Sequence, residues 1–379
     1  MTRVAITGMA AVSPFGLTAD ALWDGLLSGR SAVRPIARFV AGGLPVTTGG
    51  EVPLEAADHE RDVAISRRPI RDALAQAGLA AGDTALVWAN GLDTFAHDGG
   101  ELVERSAGAC FSALAAEHAS PRRMIATACA SATQAIGTGF RLIRAGRARA
   151  CVAGGATVML TPHYALGFAW LQALALDQAG DPPAAACKPF DRMRRGFALA
   201  EGGAALVLES LDAATARGAE VLGEVIGFGA SQDAFDLNRP PPDGAGAKLC
   251  MRRALADAGL TPDAVAAISA HGTGTRAGDP AEAAAVRRVF GDRALPVTSI
   301  KGAIGHQMAG AGASQAVAAV ASCRTGLVPP TCNLSDPDDG CTLDHVIGRP
   351  RSADVPVVLV NSFGMGGQNA TVIYARYPR

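Results

Sequence analysis

Arg71-Asp-Ala-Leu-Ala-Gln-Ala-Gly-Leu79, followed by a polar turn and Ala85-Leu-Val-Trp-Ala-Asn-Gly91, returns without a gap as Arg252-Arg-Ala-Leu-Ala-Asp-Ala-Gly-Leu260 and Ala266-Ala-Ile-Ser-Ala-His-Gly272. The offset is 181 residues, from 71 to 252, and the same offset carries Gln134-Ala135-Ile136 onto Gln315-Ala316-Val317. Two marks at one offset indicate an internal duplication. Each half reads as apolar strands alternating with amphipathic helices, as in Val152-Ala-Gly-Gly155 or the run from Val355 to Asn361. That pattern predicts an α/β fold whose sheets are covered on both faces. The join falls between Leu211 and Val221, after the strand Ala204-Ala-Leu-Val-Leu-Glu209, which gives halves of 1–215 and 216–379. No stretch rich in Pro, Gly or Ser separates them, so one fused unit is expected. Strand ends of the two halves should then face each other near a pseudo-twofold axis, where residues from both can share one pocket.

Composition narrows the function. A chain of 379 residues, 49% hydrophobic and 18% charged, buries a large core, and 45 glycines imply tight turns and close backbone approaches. A formal charge of −1 provides no basic field for nucleic acid, and no lysine-rich run points to a membrane surface. Arg192, Arg194 and Arg195 form a local basic patch on which a small acidic carrier protein could dock; a solvated loop is the rival reading. Eight cysteines without metal-type spacing fit a reduced compartment. The N-terminus reads as a strand and a glycine turn rather than a secretory signal, and no apolar run reaches the roughly 20 residues needed to span a bilayer. A cytoplasmic protein is expected. The glycine-rich stretches match no phosphate-binding fingerprint, so neither nucleotide nor metal is implied.

Chemistry concentrates at Cys129. In Arg123-Met-Ile-Ala-Thr-Ala-Cys129-Ala-Ser-Ala-Thr-Gln-Ala-Ile-Gly137 a buried apolar strand is expected to turn into a helix at the cysteine. Amides at a helix N-terminus stabilise a thiolate and can hold an oxyanion. His271-Gly-Thr-Gly-Thr275 and Gly305-His306 lie far downstream, in the second half. A thiol with two histidines in glycine-rich settings points to acyl transfer. The remaining cysteines read as small buried hydrophobes, and His59, His97, His118, His163 and His345 have no such setting.

Further motifs, in order, are Lys188-Pro-Phe-Asp-Arg-Met-Arg-Arg-Gly-Phe-Ala-Leu-Ala-Glu-Gly202, Asp243-Gly-Ala-Gly-Ala247, His271-Gly-Thr-Gly-Thr-Arg-Ala-Gly-Asp-Pro-Ala-Glu282, Ser299-Ile-Lys301-Gly-Ala-Ile-Gly-His306 and Asn361-Ser-Phe-Gly-Met-Gly-Gly-Gln-Asn369. With Thr127-Ala-Cys129-Ala-Ser131, the chain resembles nearly end to end an elongating β-ketoacyl synthase, of the KAS II-like or type II polyketide ketosynthase kind. The resemblance implies the thiolase-like layered αβαβα fold. It implies that Cys129 accepts an acyl group from acyl carrier protein, and that malonyl on a second carrier loses CO2 and attacks the thioester. His271 and His306, as neutral imidazoles, would donate to the enolate oxygen. The backbone amides of Cys129 and Met365 would form the oxyanion hole, with Lys301 and Glu282 as electrostatic support. Thr273 and Thr275 would bind the pantetheine arm, or else only form the turn. Phosphopantetheine delivered by the carrier is the sole prosthetic group implied, and a homodimer or a heterodimer with a chain-length factor is expected. Thiolase fits less well, because its second reactive cysteine has no counterpart in Asn361-Ser-Phe-Gly-Met-Gly-Gly367. Initiating synthases with a Cys-His-Asn set differ at His306. A non-catalytic partner subunit would need none of Cys129, His271, His306 and Lys301.

Departures from that family point to a specialised enzyme. The segment from Trp88 to Thr127 is short, and that from Val33 to Arg68 is compressed. Met365 stands where relatives carry an aromatic gate to the acyl pocket, Gln315 replaces an acidic residue, and Arg195 replaces an aspartate. Synthases that work beside a cysteine-less homologue carry such changes, so a type II polyketide line, for example of polyenes, is expected over housekeeping fatty-acid elongation.

Overall fold

The computed structural model describes residues 2–39, 43–98, 101–178 and 180–378. Ten strands form one sheet: β1 (Val4–Val12), β2 (Ala85–Ala89), β3 (Ala119–Ile125), β4 (Ala150–Thr157), β5 (Gly202–Ser210), β6 (Gly223–Gln232), β7 (Ala267–Ser269), β8 (Val297–Thr298), β9 (Val357–Gly364) and β10 (Gln368–Ala375). Their order is β8-β7-β9-β10-β6-β1-β5-β4-β2-β3. Adding five to each strand number maps one side of the sheet onto the other, so the sequence repeat is a repeat of topology. The halves meet where β1 pairs antiparallel with β6 over three residues, Val4 to Ile6 against Gly223 to Val225.

Five helices fill the layers: α1 (Arg61–Ala77), α2 (Ser131–Arg144), α3 (Ala245–Ala258), α4 (Gly278–Phe290) and α5 (Ala311–Thr325). Helix α1 covers β1, β5 and β4 on the outside of one half, and α3 covers β6 and β10 on the outside of the other. Helices α2 and α5 pack on each other between the halves and touch strands of both, completing the αβαβα layering. Helix α5 is buried from Ala311 to Cys323, as its run of small and apolar side chains requires.

The repeated alanine-rich helix has a steric reason. A Cβ on Gly8, at a bulge in β1, would stand 2.1 Å from the Ala73 carbonyl oxygen, and one on Gly227, at the bulge in β6, 2.5 Å from that of Ala254. Ala73 and Ala254 are counterparts across the repeat, so each half seats its outer helix directly on a glycine bulge.

One expectation changes here. The strand before Cys129 is not buried: β3 pairs only with β2, and Arg122, Arg123 and Met124 on it are exposed. It is the sheet's edge, which explains its charged residues. The short segment between Trp88 and Thr127 forms a hairpin, Thr94–Asp98 with Glu101–Arg105, and a helix, Ala107–Ala115, before that edge. The compressed segment from Val33 to Arg68 is anchored by Glu201, buried and ion-paired with Arg38 and Arg61, while its Oε1 accepts from Val52 N at 3.0 Å. Among the described residues, no helix is long and apolar enough to cross a membrane.

Candidate active site

Cys129 lies in a single 3-10 turn, Ala128–Ala130, that leads into α2. Its repeat counterpart, Met308–Gly310, leads into α5. Both turns open on a non-glycine residue in the left-handed region, Ala128 at φ 49° and Met308 at φ 42°, so both are strained. The helices α2 and α5 are packed together, which brings the two turns face to face.

His306 Nε2 lies 3.1 Å from Cys129 Sγ, and the Met308 N–H donates to His306 Nδ1 at 3.1 Å. A ring nitrogen that accepts there carries no proton, so the proton of neutral His306 is on Nε2, aimed at the sulfur. The Cys129 thiol itself lies 3.7 Å from Met308 Sδ, an available acceptor. His271 completes the group: its ligating nitrogen, His306 Nε2 and Cys129 Sγ lie within 4.8 Å of one another. Such a trio has the spacing of a soft-metal site. A metal on Nε2 would, however, force the His306 proton onto Nδ1, against the Met308 N–H, so this geometry suits proton donation better than ligation.

Behind His271, Lys301 Nζ donates to the His271 carbonyl oxygen and stands 3.5 Å from His271 Nδ1 and 3.4 Å from Gln315 Oε1. Glu282 on α4 does not pair with it. Its carboxylate accepts from the N–H groups of His271 and Gly272, both at 2.8 Å, and from Asn361 Nδ2 at 3.2 Å. The buried ammonium and carboxylate act on each other only at longer range. Each has found main-chain partners instead, which orient the His271 loop directly.

Burial governs the protonation states. Desolvation pushes the Cys129 thiol up to about 11, although Lys301 and the amides of Met365 and Cys129 pull the other way. One turn of helix amides does not offset complete burial, so the resting group is a thiol. Burial first, then the charge of Lys301, holds both His271 and His306 well below the usual histidine range. Burial likewise brings Lys301 down to about 8, opposed by Glu282. At neutral pH the site is a thiol, two neutral imidazoles and an ammonium.

Cys129, His271 and His306 line a cavity of about 660 Å3, together with Thr273, Thr275, Phe363 and Met365. Thr273 Oγ1 and Thr275 Oγ1 are 3.0 Å apart, and Thr275 Oγ1 accepts from Gly278 N at 3.2 Å. One hydroxyl proton of the pair is used between them, which leaves the other for a ligand. Met365 packs beside Cys129 in the same apolar cluster. The arginine patch is absent as a free charge: Arg192 pairs with Asp336 and Asp339, Arg194 with Asp338, and Arg195 with Asp181.

The N-terminal domain model of β-ketoacyl synthases matches residues 1–90 and 103–214, and the C-terminal domain model matches 222–335. The chain belongs to the β-ketoacyl synthase family. A 3-oxoacyl-[acyl-carrier-protein] synthase 2 of Synechocystis is 36% identical, covering 99% of this chain and 98% of that protein. Nodulation protein E of Rhizobium meliloti is 35% identical over 98% of each. Among solved structures, the ishigamide ketosynthase/chain length factor aligns over the whole of both chains with a TM-score of 0.90 at 32% identity. A type II polyketide ketosynthase, solved in complex with its acyl carrier protein, gives 0.90 at 26% identity, covering 99% of this chain and all of that one. The family match lapses at residues 91–102, inside the shortened segment between Trp88 and Thr127.

For this β-ketoacyl synthase relative, sequence reading overlooked two groups. Met308 fixes the His306 tautomer and contacts the nucleophile; comparing the residues that open the two helices α2 and α5 would have pointed to it. Asp279 accepts from the N–H groups of Phe190, Thr273 and Gly274, and burial with Glu282 nearby pushes it up to about 7. It pins the Thr273 loop to the Phe190 turn, and its place in Gly278-Asp-Pro280, at the start of α4, is the signal that was available.

Proposed function

We propose that the chain is a β-ketoacyl synthase, an acyltransferase that condenses malonyl-carrier with an acyl group held on Cys129, in a type II polyketide or specialised fatty-acid pathway. The observation that carries this is the convergence of Cys129, His271 and His306 within 4.8 Å, with the His306 Nε2–H, a donor rather than a base, facing the sulfur. In the first step Cys129 sulfur bonds to the acyl carbon, and the carrier's pantetheine thiol departs with the proton that Cys129 gives up. The His306 Nε2–H stabilises negative charge on sulfur as it develops. In the second, the C–CO2 bond of malonyl breaks, and the enolate oxygen is held by the His271 and His306 Nε2–H groups. The new carbon attacks the Cys129 thioester; the amides of Cys129 and Met365 hold the tetrahedral oxyanion, and collapse returns the Cys129 thiolate, which takes a proton.

Lys301 and Glu282 support His271, Thr273 and Thr275 receive the pantetheine arm, and Met365 gates the acyl chain. Acyl carrier protein delivers phosphopantetheine in the cytoplasm. The open edge of β3 supports assembly as a homodimer or with a chain-length factor, and the symmetry of the sheet supports a division into halves at residue 215. The test is intact-protein mass after incubation with acyl-carrier thioesters, alone and with any cysteine-less homologue encoded nearby. An acyl adduct lost in Cys129→Ala is expected. No adduct from any thioester, even with the partner present, would favour a non-catalytic pocket subunit.

A further inference from the structure

Among the described residues, every hydrogen-bond acceptor around the buried Lys301 ammonium is neutral: the His271 carbonyl oxygen, His271 Nδ1 and Gln315 Oε1. The nearby carboxylates of α4 are otherwise engaged, Glu282 by two N–H groups and Asn361, Asp279 by three N–H groups. Cys129, Cys187 and His306 complete the titratable groups acting on Lys301 or its partners, and burial keeps both thiols protonated at neutral pH. Gln315 on α5 is held with its oxygen toward Lys301. Its Nε2 donates to the Ala270 carbonyl oxygen at 2.8 Å and Ser269 Oγ at 3.2 Å, and lies 3.4 Å from the carbonyl oxygens of Ser269 and Asn361. A carboxylate oxygen would be repelled there, so the position is shaped for an amide.

The two histidines fix their protons by different means. His306 Nδ1 accepts from a main-chain N–H, which does not titrate. Among the described residues, His271 Nδ1 has only Lys301.

We propose that Gln315 is a positioning residue that sets, through Lys301, which ring nitrogen of His271 carries the proton. This rests on the reading of His271 as a donor to the enolate oxygen. A charged Lys301 favours a lone pair on Nδ1, which leaves the proton on Nε2, toward the cavity; 3.5 Å is the outer limit of a hydrogen bond, but the full charge still acts there. A neutral Lys301 can accept from Nδ1–H, and Nε2 then presents a lone pair that repels an enolate. Burial brings the ammonium down to about 8, and Glu282, which does not contact it, opposes this only at a distance, so the donor is present below that pH and is lost as pH rises through it.

The test is long-range 1H–15N NMR of the full chain with labelled histidine, titrated across that pH, with malonyl-carrier decarboxylation followed in parallel. His271 should pass from an Nε2–H to an Nδ1–H pattern around pH 8, while His306 stays Nε2–H throughout. Gln315→Glu, a contacting carboxylate, should move the His271 midpoint up by about one to three pH units, and Gln315→Met should move it down. The alkaline limb of decarboxylation should follow. A His271 pattern that stays Nε2–H at all pH values, or a midpoint that neither substitution moves, overturns the proposal. A tautomer switch as described in a chain that never decarboxylates malonyl-carrier upholds it and removes the condensing-enzyme reading instead.

Discussion

Gly364→Ala should separate the oxyanion hole from the rest of the site. Gly364 ends β9 and precedes Met365, whose amide faces the Cys129 sulfur. A Cβ built on it would stand 2.8 Å from the Thr127 carbonyl oxygen and 3.3 Å from Ala128 Cβ, both on the strained turn that carries Cys129. The first contact is closer than real Cβ atoms tolerate, and main-chain atoms cannot rotate away. Either the turn or the Met365 strand end must move, at an overpacking cost of about 1–3 kcal/mol. If the strand end retreats, the proposed oxyanion donor Met365 N–H is lost, and loss of such a donor elsewhere lowers kcat by about 10²–10³. Gly91 is the control, since it borders the same turn. A Cβ there meets Ser131 Oγ at 3.6 Å and Ala126 Cα at 3.8 Å, ordinary contacts. The assay is condensation kinetics together with urea unfolding of both variants. Gly364→Ala should lose most of its kcat with a modest loss of stability, and Gly91→Ala should keep both within twofold or so. Wild-type kcat in Gly364→Ala, or equal damage in Gly91→Ala, would refute the steric argument.

Three further outcomes follow from the same geometry. Alkylation of Cys129, read by intact mass, should accelerate about tenfold per pH unit up to about pH 11, because the thiolate fraction rises with pH below that point; a plateau below pH 8 would contradict the burial argument. Glu201→Gln leaves Arg61 and Arg38 without their buried counter-charge, and a loss of about 3–5 kcal/mol in urea unfolding is expected, against under 1 kcal/mol if the pairs are incidental. Glu282→Gln turns an amide NH2 toward a main-chain N–H of His271 or Gly272, so stability should fall by about 1–3 kcal/mol and decarboxylation should fall further than Cys129 acylation; equal loss in both steps would deny Glu282 its place behind His271.

The duplication was legible because packing constrains both copies alike. Ala73 and Ala254 must be small to sit on bulge glycines, and Ala135, Ile136, Ala316 and Val317 are buried where α2 meets α5. Cys129, His271 and His306 were legible because their neighbours are glycines and hydroxyl residues with little other reason to occur there. What escaped is set by three-dimensional surroundings. The exposure of β3 depends on its being the last strand of the sheet, which no local pattern reveals, and an apolar Met124-Ile125 pair reads as buried in either setting. The protonation state of Cys129 was not legible, because helix amides are visible in sequence while depth is not. The arginines at 192, 194 and 195 read as a patch because their partners, Asp181 and Asp336 to Asp339, lie elsewhere in the chain.

The protonation pattern bears on which Claisen chemistry this pocket can support. A non-decarboxylative condensation must take a proton from carbon, and the acceptor must then carry a charge. Here His306 Nε2 already holds a proton because Met308 N–H occupies Nδ1, and a second proton would place an imidazolium in a buried site beside the Lys301 ammonium. The same charge and the same burial act against His271. Loss of CO2 needs no base, since the electron pair of the breaking bond becomes the enolate, and thioester exchange passes the Cys129 proton to the departing thiol. A pocket of donors suits those two steps and does not suit proton abstraction. Below about pH 8, where Lys301 is charged, acetyl-carrier should therefore fail to replace malonyl-carrier as the attacking partner, as product mass would report. Condensation from acetyl-carrier in that range at a rate comparable to malonyl-carrier would mean that one histidine does act as a base, either His306 against the tautomer assigned from Met308 N–H or His271 against the one set by Lys301.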